Sequence, residues 1–198
     1  MKYIINTCLL LVMGVFVFAG CAGTSVKPDT ALQNIKGVPD WVVKGSGAFG
    51  GERGKVFYGI ASSFGIKNPS LKRSAADNRA RNEVAKVFKF YTASLMKAYN
   101  ASTMAGDPTV TAEEQHVEEA VKTVTAMTLS GVEIVNHWEN PSTHEFFSLA
   151  RLDLEAFKDS LKKSKDLNSR VRDYIRQNAD RLHEKLQKEE DKMQERDK

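Results

Sequence analysis

The longest amphipathic pattern in the chain begins at Asn68-Pro69. Asn is a favoured N-cap and Pro suits the first helical turn, so a helix is predicted to start here. Apolar residues then recur every three to five positions, which places them along one face of a long helix. These residues are Leu71, Ala75, Ala80, Val84, Phe88, Tyr91, Leu95 and Ala98. Gly106-Asp107-Pro108 is predicted to end the helix.

A second helix is predicted from Thr111 to about Leu129. Thr111 and Glu114 have the spacing of a capping box, and Gly131 follows as a terminator. The apolar positions of this helix are Val117, Ala120, Val121 and Val124.

Two β-rich runs follow, at 132–139 and 145–152. Asn140-Pro141-Ser142-Thr143 separates them and is typical of a hairpin turn. A four-residue loop would place Glu139 opposite His144 and Ile134 opposite Leu149. Which face of the hairpin is buried stays open, because Phe146 and Phe147 are adjacent.

The last part of the chain is helical in pattern. A short helix is predicted over 154–163, with Leu154, Phe157 and Leu161 as its apolar positions. A highly charged helix is predicted from about Leu167, with an apolar stripe too thin for a sustained coiled coil. We expect its first half to dock on the domain and its end to fray.

Before the long helix, two short strands are predicted, at 38–43 and at 55–62. The glycine-rich segment 45–54 is interpreted as a flexible connection between them. Strands and helices are therefore segregated along the chain, which is typical of an α+β fold. We expect a small, mostly antiparallel sheet packed on two helices, with a charged C-terminal helical extension.

The N-terminus has the pattern of a secretory signal. Lys2 precedes a mostly apolar run over 3–18, which is shorter than the ~20 residues of a membrane-spanning helix. Phe18-Ala19-Gly20-Cys21 then resembles the lipobox of bacterial lipoproteins, with Phe18 where Leu is usual. The resemblance implies cleavage before Cys21 and lipidation of Cys21. The chain has only one other cysteine, Cys8, inside the segment to be removed, so lipidation also explains a thiol without a disulfide partner.

The predicted organisation is a signal peptide at 1–20, a lipidated cysteine and flexible tether at 21–37, an α+β domain at 38–165 and a charged helix at 166–198. The absence of Asp after the cysteine, where Ala22 stands, favours the outer membrane by resemblance to bacterial sorting rules. The membrane, reached through the lipid anchor, is therefore one expected partner.

The charge pattern and the glycine motif argue against two kinds of binding site, one for nucleic acid and one for a dinucleotide. The chain has 29 basic and 25 acidic residues, well interleaved, and no basic block accompanied by stacking aromatics, so nucleic-acid binding is not expected. Gly45-Ser46-Gly47-Ala48-Phe49-Gly50 matches G-x-G-x-x-G, but the next predicted element is a strand and not the helix that a dinucleotide site needs.

Residues with catalytic or metal-binding side chains also lack a recognised arrangement. His137 and His144 flank the hairpin around Glu139 without a known metal-ligand spacing. Arg79 and Glu83 are predicted to form an ion pair on the long helix. We therefore expect no enzymatic activity, no catalytic residues, no metal and no cofactor.

Several segments of the predicted domain resemble the LPP-twenty family of bacterial lipoproteins, to which FlgP-like flagellar lipoproteins form a related branch. They are Pro39-Asp40-Trp41-Val42, Val56 to Ala61, Ala75 to Ala85, and Trp138 with Leu149 to Asp153. The resemblance covers about 38–155 and implies a non-enzymatic outer-membrane lipoprotein with an α+β domain. The charged segment after Asp166 is not part of the family pattern.

Three roles are compatible with these features. The first is a structural or assembly role in the envelope, facing the periplasm, with self-association or other envelope proteins as partners. The second is a periplasmic binding module for cell wall or a small ligand, suggested by Trp41, Phe57, Tyr58 and Trp138, although aromatics at strand spacing are more often core. The third, implied by the related branch, is a component of a flagellar basal disk or ring.

Overall fold

The computed structural model describes residues 35, 37–51, 54–103, 111–165, 167 and 169–196. Helices and strands alternate in blocks along this part of the chain. Their order is α1 Asp40–Lys44, β1 Gly47–Gly51, β2 Gly54–Ser63, α2 Pro69–Thr103, α3 Thr111–Leu129, β3 Glu133–Glu139, β4 Phe146–Asp153, α4 Leu154–Lys163 and α5 Ser169–Arg196.

The four strands form one antiparallel sheet in the order β1-β2-β4-β3. Helices α2 and α5 pack against it, while α3 contacts α2 and α4. The predicted fold class is therefore confirmed: an α+β fold with an antiparallel sheet, packed helices and a C-terminal helix.

Helix α2 begins as its sequence predicts. The Asn68 side-chain oxygen accepts the Leu71 N–H at 3.0 Å, so Asn68 caps the first turn. The middle of the predicted apolar face, from Ala80 to Leu95, is buried against the sheet and α5. Leu71 and Ala98 were predicted on that face but are exposed. In the first turn the sheet side is taken instead by Lys72, whose Nζ lies 2.8 Å from Glu139 Oε1.

Gly59 of β2 allows the closest contact between the sheet and α2. A Cβ at this position would lie 2.3 Å from the Ala80 carbonyl oxygen and 2.4 Å from the Val84 nitrogen. The glycine therefore lets the helix backbone rest directly on the strand, which brings the rings of Phe57 and Phe88 to a centroid distance of 5.2 Å.

The hairpin forms with a different register from the one predicted. Glu139 pairs with Phe146 and not with His144, so the loop contains six residues instead of four. The Asn140 side-chain oxygen accepts the Ser142 N–H at 2.9 Å, and the Asn140 N–H donates to the Glu145 carbonyl at 2.9 Å. These bonds build a longer turn than the Pro-Ser pair indicates, and a bulge in β3 shifts the register again near Ile134.

The two predictions for the segment before β2 were wrong. The run predicted as a strand contains helix α1, in which Asp40 lies in the first turn and the Val42 N–H donates to the Pro39 carbonyl at 2.9 Å. The glycine-rich segment predicted as a connection contains β1, which pairs with β2. Gly45, with φ of 81°, makes the change of direction between the two elements.

Helix α5 docks along more of its length than predicted. Its Val171, Ile175, Ala179 and His183 are buried, and the Tyr91 hydroxyl of α2 donates to the Ala179 carbonyl at 2.9 Å. Contacts continue towards its end, where the Gln194 side-chain amide donates to the Lys44 carbonyl at 3.1 Å. The helix thus belongs to the same hydrophobic core as α2 and the sheet.

Candidate functional site

The predicted lipidation site lies outside the part of the chain that the structure describes. Cys21, the lipobox before it and most of the predicted tether fall on residues 1–34. Lipidation of Cys21 therefore stays a prediction from the sequence. None of the described helices combines the length and the apolarity needed to cross a membrane.

A partly buried polar contact that joins three elements is centred on Asp77 of α2. Its Oδ1 accepts the hydroxyl of Ser148 at 2.7 Å and lies 2.7 Å from Nε2 of His137. Ser148 is fully buried in β4, and His137 comes from β3. We call these three residues the Asp77 cluster; it joins the long helix to two neighbouring strands.

The Asp77 cluster contains the residue types of a serine hydrolase but not their geometry. In a catalytic triad the imidazole lies between the hydroxyl and the carboxylate. Here the hydroxyl and the imidazole both contact the same carboxylate oxygen. The buried hydroxyl thus has its acceptor, and the arrangement serves to hold α2 on the sheet.

The second predicted histidine, His144, lies apart from the Asp77 cluster. Its Nδ1 is 3.4 Å from Glu139, which also accepts a 2.8 Å hydrogen bond from the Lys72 ammonium. The hydrogen bond from Lys72 lowers the pKa of the Glu139 carboxyl, with His144 adding to the effect. Among the described residues, no group of three or more His, Cys, Asp or Glu side chains is arranged to hold a metal ion.

The predicted ion pair between Arg79 and Glu83 does not form. The Arg79 guanidinium donates to the Ser62 carbonyl at 2.8 Å, while the Glu83 carboxylate pairs with Lys86 at 2.6 Å. The strand end next to α2 offers Arg79 a carbonyl acceptor, which the spacing along the helix alone does not reveal.

Two acidic residues of α5 connect it to the rest of the domain. Asp180 accepts hydrogen bonds from Lys55 of β2 and Lys158 of α4. Although burial opposes ionisation, these bonds hold the pKa of Asp180 below its ordinary value. Six residues before the end of the helix, Glu190 accepts the Ala48 N–H of edge strand β1 at 2.8 Å. Burial raises the pKa of Glu190 to about 7, against the opposing effect of the Ala48 N–H.

A groove of about 540 Å³ lies between α2 and α3. Its apolar lining includes Met96, Val121 and Leu129, and its rim carries charged side chains. Thr125 also lines it; this residue is only 6% exposed, and its hydroxyl has no hydrogen-bond partner among the described residues. The volume falls in the range of small-ligand pockets, roughly 300–1,000 Å³. Sequence reasoning did not find this groove, because Thr92 and Thr125 look like ordinary helix positions.

The G-x-G-x-x-G segment lies on different elements from the groove. Its first glycine caps α1, and the rest lies largely in β1, which is followed by another strand. A dinucleotide fingerprint requires the last glycines to open a helix towards the pyrophosphate. This geometry is absent from the described segment.

Comparisons with known proteins leave the chain without an assigned family. No known family matches its sequence, and no curated protein does so either.

Proposed function

We propose that this chain is a membrane-anchored, non-enzymatic envelope lipoprotein with a structural or assembly role. In this proposal lipids on Cys21 hold it in the outer membrane, and the α+β domain faces the periplasm. The observation that carries the proposal is the sequence Phe18-Ala19-Gly20-Cys21 directly after a basic residue and an apolar run of signal-peptide length.

The chemistry of the anchor supports stable attachment. One acyl chain binds a bilayer only reversibly, whereas two or more hold a protein there. A lipobox cysteine carries at least two chains. The sixteen residues from 22 to 37 could span at most about 55 Å when fully extended, which gives the domain room to leave the bilayer surface.

Two features support a role in assembly. The resemblance to the LPP-twenty family implies a non-enzymatic envelope protein. The described surface also presents Phe90, which is 64% exposed and lies one turn before Ala93 of the apolar α2/α3 groove. Exposed apolar surface on a folded domain often marks a contact with another protein.

Replacing Cys21 with Ser tests the anchor. We expect Cys21→Ser to lose incorporation of labelled palmitate and either to leave the membrane fraction or to retain its signal peptide. Cys8→Ser is the matched control, because it removes the other thiol without touching the lipobox. A Cys21→Ser protein that is processed, labelled and sedimented with membranes like the wild type would refute the proposal.

A further inference from the structure

Phe90 has the largest exposed fraction of the exposed large apolar residues on α2. It is 64% exposed and lies one turn before Ala93, which lines the groove between α2 and α3. Residues three apart on a helix are neighbours, so Phe90 stands beside the groove without filling it. Among the described residues, nothing covers the aromatic ring or fills the apolar groove.

The two helices that form the groove carry opposite charge. Helix α2 has seven basic and two acidic residues, a net charge of +5, whereas α3 has one Lys and four acidic residues, a net charge of −3. Both acidic residues of α2 are already engaged, Asp77 with the sheet and Glu83 with Lys86. Lys89 and Lys97 make no ion pair among the described residues. Lys86 pairs with Glu83 of its own helix, but its side chain stays 72% exposed, so it can also face a partner.

Charges of opposite sign line the groove, with Lys89 on α2 and Glu118 on α3. Lys86 and Glu119 are exposed beside them, one on each helix. Glu118 pairs with Lys122 of its own helix at 2.9 Å, but its side chain stays 61% exposed. A two-fold rotation about an axis that lies in this face and runs along the groove brings each positive side onto the negative side of the other copy. The face is therefore self-complementary in charge, as an isologous interface requires.

We propose that the α2/α3 face is a symmetric interface between two copies of this chain, in which Phe90 of each copy enters the groove of the other. The groove supplies an apolar surface for the ring, and the lysines beside Phe90 meet the glutamates of the partner helix. The interface rests on the assembly role proposed above but not on the lipid anchor.

Energy transfer between donor- and acceptor-tagged copies of the full protein in phosphatidylcholine vesicles measures the association. We expect transfer to rise with the protein-to-lipid ratio, and Phe90→Ser to weaken the association about tenfold, or 1.4 kcal/mol. Phe64→Ser is the matched control, because Phe64 is similarly exposed (66%) but lies outside the groove. Equal effects of the two substitutions, or no transfer by the wild type, would overturn the interface.

Charge reversal gives a second, independent test. Lys86→Glu with Lys89→Glu sets negative against negative in the pair, and Glu118→Lys with Glu119→Lys sets positive against positive. Each variant alone should dissociate. A mixture of the two should associate again, since both contacts of the mixed pair are then opposite in charge. Lys185→Glu with Lys188→Glu, on the exposed side of α5, controls for net charge. A mixture that stays dissociated would refute the charge pairing. Association that is unchanged in every charge-reversal variant would show that the contact lies elsewhere.

The tests separate the interface from the anchor and from other occupants. Flotation of the vesicles reports anchoring: protein that floats without energy transfer overturns the interface alone. Protein that does not float overturns the anchor alone, and its association is then measured with the same variants by sedimentation velocity. If the wild type is monomeric and binds a fatty-acid probe, and Ala126→Trp abolishes this binding by filling the groove, the groove is a small-ligand site and not an interface.

Discussion

The close contact at Gly59 predicts a large stability loss for a single added methyl group. In Gly59→Ala the new Cβ would lie 2.3 Å from the Ala80 carbonyl oxygen and 2.4 Å from the Val84 nitrogen. Real Cβ atoms essentially never approach other atoms closer than 3.0 Å, so the two backbones must separate by about 0.7 Å at this point. Both nearest atoms belong to the helix backbone, and no side-chain rotation can relieve the contact.

The size of the loss follows from overpacking. Forcing an extra carbon into a well-packed core costs about 1–3 kcal/mol, and more where the backbone must move. Separating α2 from the sheet also loosens the buried rings of Phe57, Phe88 and Tyr91, whose centroids lie 4.9–5.8 Å apart. We therefore expect a loss of about 3 kcal/mol, which for a chain of this length lowers Tm by about 6–12 °C.

Urea unfolding followed by circular dichroism measures this loss. Gly131→Ala is the matched control, since its Cβ would be 3.3 Å from a single carbonyl oxygen at an exposed turn; we expect it to change stability by well under 1 kcal/mol. Adding Val84→Ala to Gly59→Ala should not restore stability, because the backbone contacts remain. A loss below about 1 kcal/mol for Gly59→Ala, or full rescue by Val84→Ala, would refute this account of the helix–sheet contact.

Two further predictions concern the partly buried carboxyl groups of Glu190 and Asp77. Because the folded pKa of Glu190 is raised to about 7, its contribution to stability is complete below about pH 4.5 and is lost as the pH rises through 7. Glu190→Gln keeps an acceptor for the Ala48 N–H but does not ionise. Between pH 4.5 and 8 the wild type should therefore lose up to about 3 kcal/mol of unfolding free energy relative to the variant. A difference in unfolding free energy that does not change with pH in urea titrations would contradict this. Asp77→Ala leaves the buried Ser148 hydroxyl without its acceptor, and we expect a loss of about 1–3 kcal/mol, against little change for the exposed Asp159→Ala. A loss no larger than that of the control would show that the Asp77 cluster is dispensable.

The sequence predicted those elements whose signals are local. Helices α2, α3 and α4 follow from apolar spacing together with Asn68, Gly131 and similar boundary residues. The two strands of the hairpin were also found, but their register was not. The hydrogen bonds of Asn140 set the length of that turn, and neither composition nor spacing reveals which of several possible bonds a side chain makes.

The sequence did not predict strand β1, because its glycines are required by packing against a distant part of the chain and not by a local turn. A Cβ on Gly47 would lie 2.2 Å from the Glu190 carboxylate, and one on Gly50 would lie 3.0 Å from the Gln187 amide. The glycines thus admit a helix that is about 140 residues away in the sequence. Local rules interpret such a segment as a flexible connection, since glycine disfavours strands in the absence of close packing.

The candidate sites also differ in whether a local sequence signal reveals them. Cys21 is recognisable because a lipobox is a continuous motif, although it lies outside the described residues. The Asp77 cluster joins residues that are 60 and 71 positions apart, and the groove arises only when α2 and α3 lie side by side. No periodicity in the sequence brings these side chains together before the fold is known.

Helix α5 shows how a charged sequence can still belong to the core, and it bears on how copies of the chain could meet. Its apolar stripe is thin, but ion pairs of Asp180 and the hydrogen bond from Ala48 to Glu190 extend the contact along the helix. The second of these bonds occupies an outward N–H of β1, one of the two edge strands of the sheet. Unpaired edges are where strands of separate molecules join, so covering this edge disfavours association through β1. Self-association through β1 is therefore disfavoured, whereas the α2/α3 face presents an exposed aromatic ring beside an apolar groove with opposite charges on its two helices.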